Sequence, residues 1–404
     1  MSTSVPFLNV VDPEFDFCAP EVLAAQAASW YAESPIGRVV LRYTPARALL
    51  RDPRFDHNGR LFMERNGVSG GPVYDWFVPM IVNRDGADHR RLRGLVNRAF
   101  TPRVVENLRP FIRARAEELA DRLAENEISD FVTDFGDPMP LAVMCELLGV
   151  PPEDHDVFRG WSTDIGLVFS VAHGGDIPGR VAAALLGLSG YVESLMAAKA
   201  RKPGEDLISA LIAARREDGG LVSREELLNL VITLVFAAHD TTRHQLANAM
   251  VAFAEHPGQW SVLGQRPELA ERAVEEVMRW RPSTTIAYRY AVDHLEFEGL
   301  PLAPGDCLTV CVATTQRDPA VFHGGDRFDI TVPREAPPLQ FGAGPHHCLG
   351  AALARAEVGE VLPLLARRFG PPRIAGPVSW SPPMGIHGPE TLPLSFASDA
   401  NALR

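Results

Sequence analysis

Apolar residues recur every three to four positions from Ala87 to about Trp280, a period that predicts a succession of helices. The stretch opens through Asp88-His89-Arg90-Arg91-Leu92-Arg93. Further on, Ser223-Arg224-Glu225-Glu226 reads as a capping box at the start of a long apolar helix. His256-Pro257-Gly258 stops that helix near Glu255. At ~1.5 Å per residue it spans on the order of 45 Å, enough to cross a domain. A glycine-rich break, His173-Gly174-Gly175 to Pro178, separates two of the earlier helices. Another helix is expected from about Pro267 to Trp280. Then the pattern changes to strands and turns, at 287–292, 294–297, 301–304 and 307–312. A last long helix follows over Ala351 to Arg368, and the final 30 or so residues read as loop and hairpin. At the start of the chain, Ile36 to Tyr43 alternates like a strand and Thr44 to Arg51 reads as a short helix. Residues 61–83, with Phe62, Met63, Tyr74, Trp76, Phe77 and Met80, predict a long apolar loop, and long loops in compact domains are usually functional. The fold class is mainly α with a minor β portion.

Composition narrows the class. The chain has 404 residues, a length that alone suggests two or three domains. No Gly/Ser tract, Pro-rich spacer or charge block marks a linker, so a single domain over 1–404 is expected. A net charge of −12 argues against nucleic acid or an anionic membrane as a partner through global charge. No run of about 18 consecutive apolar residues is present, and residues 1–20 lack a signal-sequence pattern, so no membrane span and a cytoplasmic location are expected. The five cysteines are odd in number and widely spaced, which is no disulfide framework. Cys307 and Cys311 read as core cysteines, since one C-x-x-x-C without a partner pair is a weak zinc signal.

The candidate chemistry centres on Phe341-Gly342-Ala343-Gly344-Pro345-His346-His347-Cys348-Leu349-Gly350. Here a cysteine sits in a glycine-punctuated loop just before the last long helix. A thiolate there meets the positive end of the helix dipole and several backbone N–H groups. The glycines let a large flat ligand approach the backbone. A sulfur anion facing a flat cofactor is what a haem-thiolate centre requires. On the residues alone, a buried structural cysteine beside a turn is the alternative. The block resembles the axial-ligand loop of the cytochrome P-450 family, F-G-x-G-x-H-x-C-L-G, at every fixed position. The order of elements is similar to the P-450 fold along nearly the whole chain.

Three further motifs gain meaning from that resemblance. Ala237-Ala238-His239-Asp240-Thr241-Thr242 places an acid and two hydroxyls inside an apolar helix, where each must find a partner. Threonines bonding back to the preceding turn are the local explanation. The family's oxygen-activation motif is similar and implies that Asp240 and Thr241 relay protons, with Ala237 and Ala238 leaving room for dioxygen. Ala238 stands where many members carry glycine, which should narrow that groove. Glu276 and Arg279, at i and i+3 on a helix, match the structural E-x-x-R pair. The third arginine usual in that network is missing from Phe328-Asp329-Ile330-Thr331-Val332, where valine holds the place; Arg334 is the candidate substitute. His89 and Arg93, one helical turn apart, with Arg289 and His346, stand at positions that resemble the family's haem-propionate ligands, charge-assisted bonds being the reason for such cations. Each alone also reads as a solvated surface cation.

The resemblance implies a monooxygenase holding haem b on Cys348, with Phe341, Gly342, Gly350 and Ala237 against the cofactor. The thiolate would push electron density toward iron and favour O–O cleavage. No flavin or nicotinamide motif is seen, so a ferredoxin-type partner is expected to supply electrons, docking near Arg90, Arg91, Arg98 and Arg103. By family analogy the substrate pocket is lined from four regions. These are the aromatic segment (Phe77, Met80, Ile81), the long helix (Leu234, Val235, Ala238), the stretch before Arg289 (Thr285, Ile286) and the last loop (Met384, Ile386, His387). Core packing is the alternative for each. The expected substrate is an apolar or aromatic secondary metabolite, either free or held on a carrier protein, and the expected state is a monomer. A peroxide-driven peroxygenase and a non-catalytic haem sensor are the rival readings. The Asp240–Thr241 pair weighs against both.

Overall fold

The structure is a computed structural model describing residues 5–169, 176–334 and 336–396. Residues 173–175 of the expected glycine-rich break lie outside the described residues. Within the chain two compact units form, residues 1–55, 111–139 and 241–404 in one and 56–110 and 140–240 in the other. The long central helix, Arg224–Glu255, contributes its first part, through Asp240, to the second unit and the remainder to the first. Its capping box is formed as expected. Glu226 N donates to Ser223 Oγ at 3.0 Å, and Ser223 N donates to Glu226 Oε2 at 2.8 Å.

The first unit carries the main sheet. Its strands run in the order Tyr31–Ser34, Gly37–Val40, Cys307–Cys311, Ile286–Ala291, with a short strand starting at Phe55 on the far edge. Gly37–Val40 pairs parallel with Cys307–Cys311, and the other pairings given are antiparallel. The strand expected over 36–43 is thus the second arm of a hairpin. Gly37, at φ +105°, makes the turn that the alternation could not reveal. One side of this region buries Val40, Leu49, Phe55, Phe297, Leu308 and Val310; another buries Val22, Val39, Leu41, Cys311 and Met384. Helices Ala270–Trp280 and Ala351–Arg368 pack on one another. Burial drives the Cys311 thiol up to about 12, which suits a core cysteine and not a metal ligand.

The second unit is helical. It includes Gly86–Ala99, His155–Gly166, Ile177–Arg201 and Leu207–Glu217. Ile177–Arg201 is long and apolar enough, by length and composition, to cross a membrane. Polar residues interrupt it, as the sequence indicated, and Val181, Leu185, Leu188, Val192 and Met196 are buried within the fold. The aromatic segment is not the long loop expected. Two short helices, Gly59–Arg65 and Pro72–Phe77, and a 3-10 turn, Ile81–Asn83, fill it. Asn58, at φ +40°, caps the first by accepting from Leu61 N. Gly71, at φ +92°, followed by Pro72, starts the second. Helices of six or seven residues are too short to print a period on the sequence.

Candidate functional site

The cysteine loop is fixed by its own backbone and by one stacked arginine. Cys348 N donates to Phe341 O at 2.8 Å, closing the loop. Gly342 and Gly344 take φ +67° and +71°, where side chains are strained. A Cβ on Gly344 would also press within 3.1 Å of Arg51 Cα and Leu50 O. Arg355, paired with Glu275, lies over the Phe341 ring at 4.4 Å. Cys348 is exposed, three residues before the helix Ala351–Arg368. A thiol offered from a glycine loop at a helix N-terminus is a donor suited to haem iron, so this loop fits the cofactor.

A second feature fits a flat ligand. Along the otherwise buried middle of Arg224–Glu255, Ala237 is exposed, and Leu234, Ala238 and Thr241 are half-buried. These positions recur at i, i+3, i+4 and i+7, one face of the helix. Val235, His239 and Asp240 are buried off that face. The acid therefore sits beside the open stripe, and Thr241 on it.

Of the expected propionate ligands, His89 is buried and Arg93 half-buried, one turn apart on Gly86–Ala99. Arg289 is buried on the strand Ile286–Ala291 and gives one N–H to Tyr288 O at 2.7 Å; His346 is half-buried in the cysteine loop.

The structure joins the four expected lining regions in two pairs, one in each unit. In the second unit the aromatic segment is latched to the central helix. Asn229 Nδ2 donates to Trp76 O at 2.8 Å, and Thr233 Oγ1 donates to Asn229 O at 2.8 Å. Phe77 stacks on Phe62 at 5.4 Å, and Asn83 Nδ2 donates to Phe77 O at 2.7 Å. A charge-rimmed cavity of about 300 Å³ opens there, with Asp75, Arg84, Glu225 and Glu226 beside Ile81 and Leu230. Phe77, Met80 and Val235 are fully buried.

In the first unit the last loop folds onto the segment before Arg289. Thr285 N donates to Gly385 O at 2.9 Å, Thr285 Oγ1 donates to Pro383 O at 2.7 Å, and Thr284 bridges Ile386. Ile286, Ile386 and His387 are half-buried, while Met384 is packed in the core with Phe17 and Cys311. His387 Nδ1 donates to Ser381 O at 3.0 Å, and burial lowers its pKa.

The E-x-x-R pair is the centre of a buried network. Arg279 Nε and Nη2 donate to Glu276 at 2.8 and 2.7 Å. Arg334 supplies the missing third arginine, with Nε and Nη2 each 3.0 Å from Glu276. Val332, where the motif would place it, is 38% exposed. Sequence reasoning missed Gln316. It is buried, donates to Met278 O and Arg279 O, and accepts from Gln340 N, tying the network to the segment that enters the cysteine loop.

Two arginines of the expected cationic docking face are ion-paired. Arg91 is held by Glu226 at 2.6 Å and Arg98 by Asp218 at 3.2 Å, so neither is a bare cation. Arg90 and Arg103 are exposed.

The chain is similar to known proteins over most of its length. The family model described as Cytochrome P450 matches residues 192–371. Luteothin monooxygenase of Streptomyces thioluteus is 42% identical over 395 residues, covering 98% of this chain and 97% of that protein. Polyketide biosynthesis cytochrome P450 PksS of Bacillus subtilis (strain 168) is 31% identical over 366 residues, 89% of each chain. Among solved structures, P450BioI in complex with hexadec-9Z-enoic acid ligated acyl carrier protein matches with a TM-score of 0.84 at 27% identity, covering 92% of this chain and 96% of that one.

Proposed function

The chain belongs to the cytochrome P450 family and is an enzyme of its monooxygenase class, binding haem b through a cysteine thiolate; on that premise we propose that it oxygenates an apolar or aromatic secondary metabolite of polyketide type. The observation that carries the reading is Cys348, exposed at the head of a long helix in a loop braced by Arg355 and Phe341. Cys348 would hold the haem iron, and the whole chain acts as one P450 domain.

Bound haem supplies the oxygen chemistry, the thiolate enriching the iron with electron density. The chain's own residues supply position and protons. His89 and Arg93, one turn apart on one helix, would neutralise haem propionates, a role the family resemblance also gives Arg289 and His346. Ala237 and Ala238 keep the central helix thin where dioxygen must fit. Asp240 and Thr241 hold and pass protons beside that stripe. Leu234, on the open stripe of the central helix, would exclude water and hold the substrate. Electrons come from a ferredoxin-type partner, which meets Arg90 and Arg103. The names of the relatives, one acting on luteothin and one assigned to polyketide biosynthesis, support the substrate class.

The test is a metabolite library, offered free and as carrier-protein thioesters. A polyketide that shifts the ferric haem spectrum and gains one oxygen atom from isotope-labelled dioxygen supports the reading. Turnover by peroxide alone favours a peroxygenase, and reductant consumption with no product from any ligand favours a sensor.

A further inference from the structure

Gly166 is the last residue of the helix His155–Gly166, and its backbone is not left-handed. Glycine in a helix costs about 0.5–1 kcal/mol relative to alanine. Nothing in the local conformation requires it here. The requirement comes from elsewhere in the chain. A Cβ on Gly166 would stand 3.3 Å from Asp240 Oδ2, 3.6 Å from its Cγ and 3.7 Å from the Phe236 ring. Gly160, on the same helix, would meet nothing within 4 Å. The crowding is therefore confined to the carboxylate.

One turn before Gly166, Ser162 Oγ lies 3.2 Å from His239 Nδ1, and both residues are fully buried. Ser162 and Gly166 are at i and i+4, one face of their helix. They meet His239 and Asp240, adjacent residues on the central helix. One contact is a hydrogen bond that fixes the spacing between the two helices. The other is a gap held open by a missing side chain.

We propose that Gly166 is a positioning residue for the Asp240 carboxylate, with the Ser162–His239 hydrogen bond setting the distance at which it acts. The inference rests on the reading of Asp240 as a proton carrier. A methyl group at position 166 forces the carboxylate to shift by a few tenths of an ångström. Small displacements of a positioned group cost rate out of proportion to their size.

The test uses the holoenzyme with a plant-type ferredoxin, its reductase and dioxygen. Gly166→Ala is expected to retain haem content and melting temperature. Its reductant consumption is expected to slow several-fold, with a larger solvent isotope effect than the parent. Gly160→Ala should change neither. Asp240→Asn should slow consumption further, and adding Gly166→Ala to it should cost nothing more, because both act through one carboxylate. Crystal structures of parent and Gly166→Ala should show Asp240 Oδ2 displaced. An unmoved carboxylate, or Gly166→Ala behaving like Gly160→Ala while Asp240→Asn is slow, overturns the proposal. If Asp240→Asn itself consumes reductant at the parental rate, the proton-carrier reading fails first. Should Gly166→Ala take up no haem, Ser162→Ala probes the same spacing; an unchanged isotope effect there overturns the distance-setting role.

Discussion

Two glutamates, each 1% exposed, sit on helices that pack against one another, and they are held in opposite ways. Glu276 accepts five hydrogen bonds, two from Arg279, two from Arg334 and one from Asp329 N. Glu357, on Ala351–Arg368, has an Oε2 with no hydrogen-bond partner among the described residues. Burial pushes its carboxyl up to about 8, so at neutral pH it keeps its proton. The difference teaches where this fold keeps a buried charge. It does so where one carboxylate fastens a helix, the 329–334 segment and, through Gln316, the entry to the cysteine loop. Where no such tie is made, neutralisation costs less than ionisation.

The largest effect is expected from Glu276→Gln. It leaves two buried guanidiniums without their anion, and breaking a buried pair this way costs about 3–5 kcal/mol. Denaturant unfolding of the holoprotein should show the loss; a midpoint within error of the parent would break the comparison. Arg334→Ala should cost less, about 1.5–3 kcal/mol, the range for hydrogen bonds to a charged group. The double variant Arg334→Ala/Val332→Arg sharpens the point. It restores the arginine to the motif's position and should recover part of the loss. No recovery would mean that the segment accepts only residue 334.

The effect opposite in sign belongs to Glu357→Gln. The folded carboxyl titrates at about 8 against an ordinary value of 4.5. Below about pH 4.5 both folded and unfolded chains hold the proton, and no penalty arises. As pH rises from there toward 8, the unfolded chain ionises and the folded one does not, so stability falls. Above about 8 the penalty is constant. The glutamine variant should therefore match the parent in acid and exceed it at pH 8 by on the order of 4 kcal/mol. Parallel stability curves for the two proteins would contradict this.

What the sequence made legible follows the same physics. Cys348, Glu276 and Arg279 are read from local spacing, and local spacing survives into the structure. So does the capping box at Ser223, and so does the helix Ala351–Arg368, whose bounds fall where the pattern placed them. Arg334 was readable as a substitute only because the motif marked the gap at Val332. The aromatic segment was misread because its helices are shorter than two full turns and are set by Asn58, Gly71 and Pro72. Gly166 and Asp240 are 74 residues apart, and nothing in either neighbourhood announces the contact. Glu357 looks like one more solvent-facing acid on an amphipathic helix. Its burial is a tertiary fact with no local trace.

The central claim is that Cys348 ligates haem as a thiolate. The most direct measurement is the optical spectrum of the purified, reduced protein under carbon monoxide. A strongly red-shifted Soret band, lost in Cys348→Ser, is the predicted result. A band of the ordinary imidazole type, or a protein that binds no haem, would contradict the account.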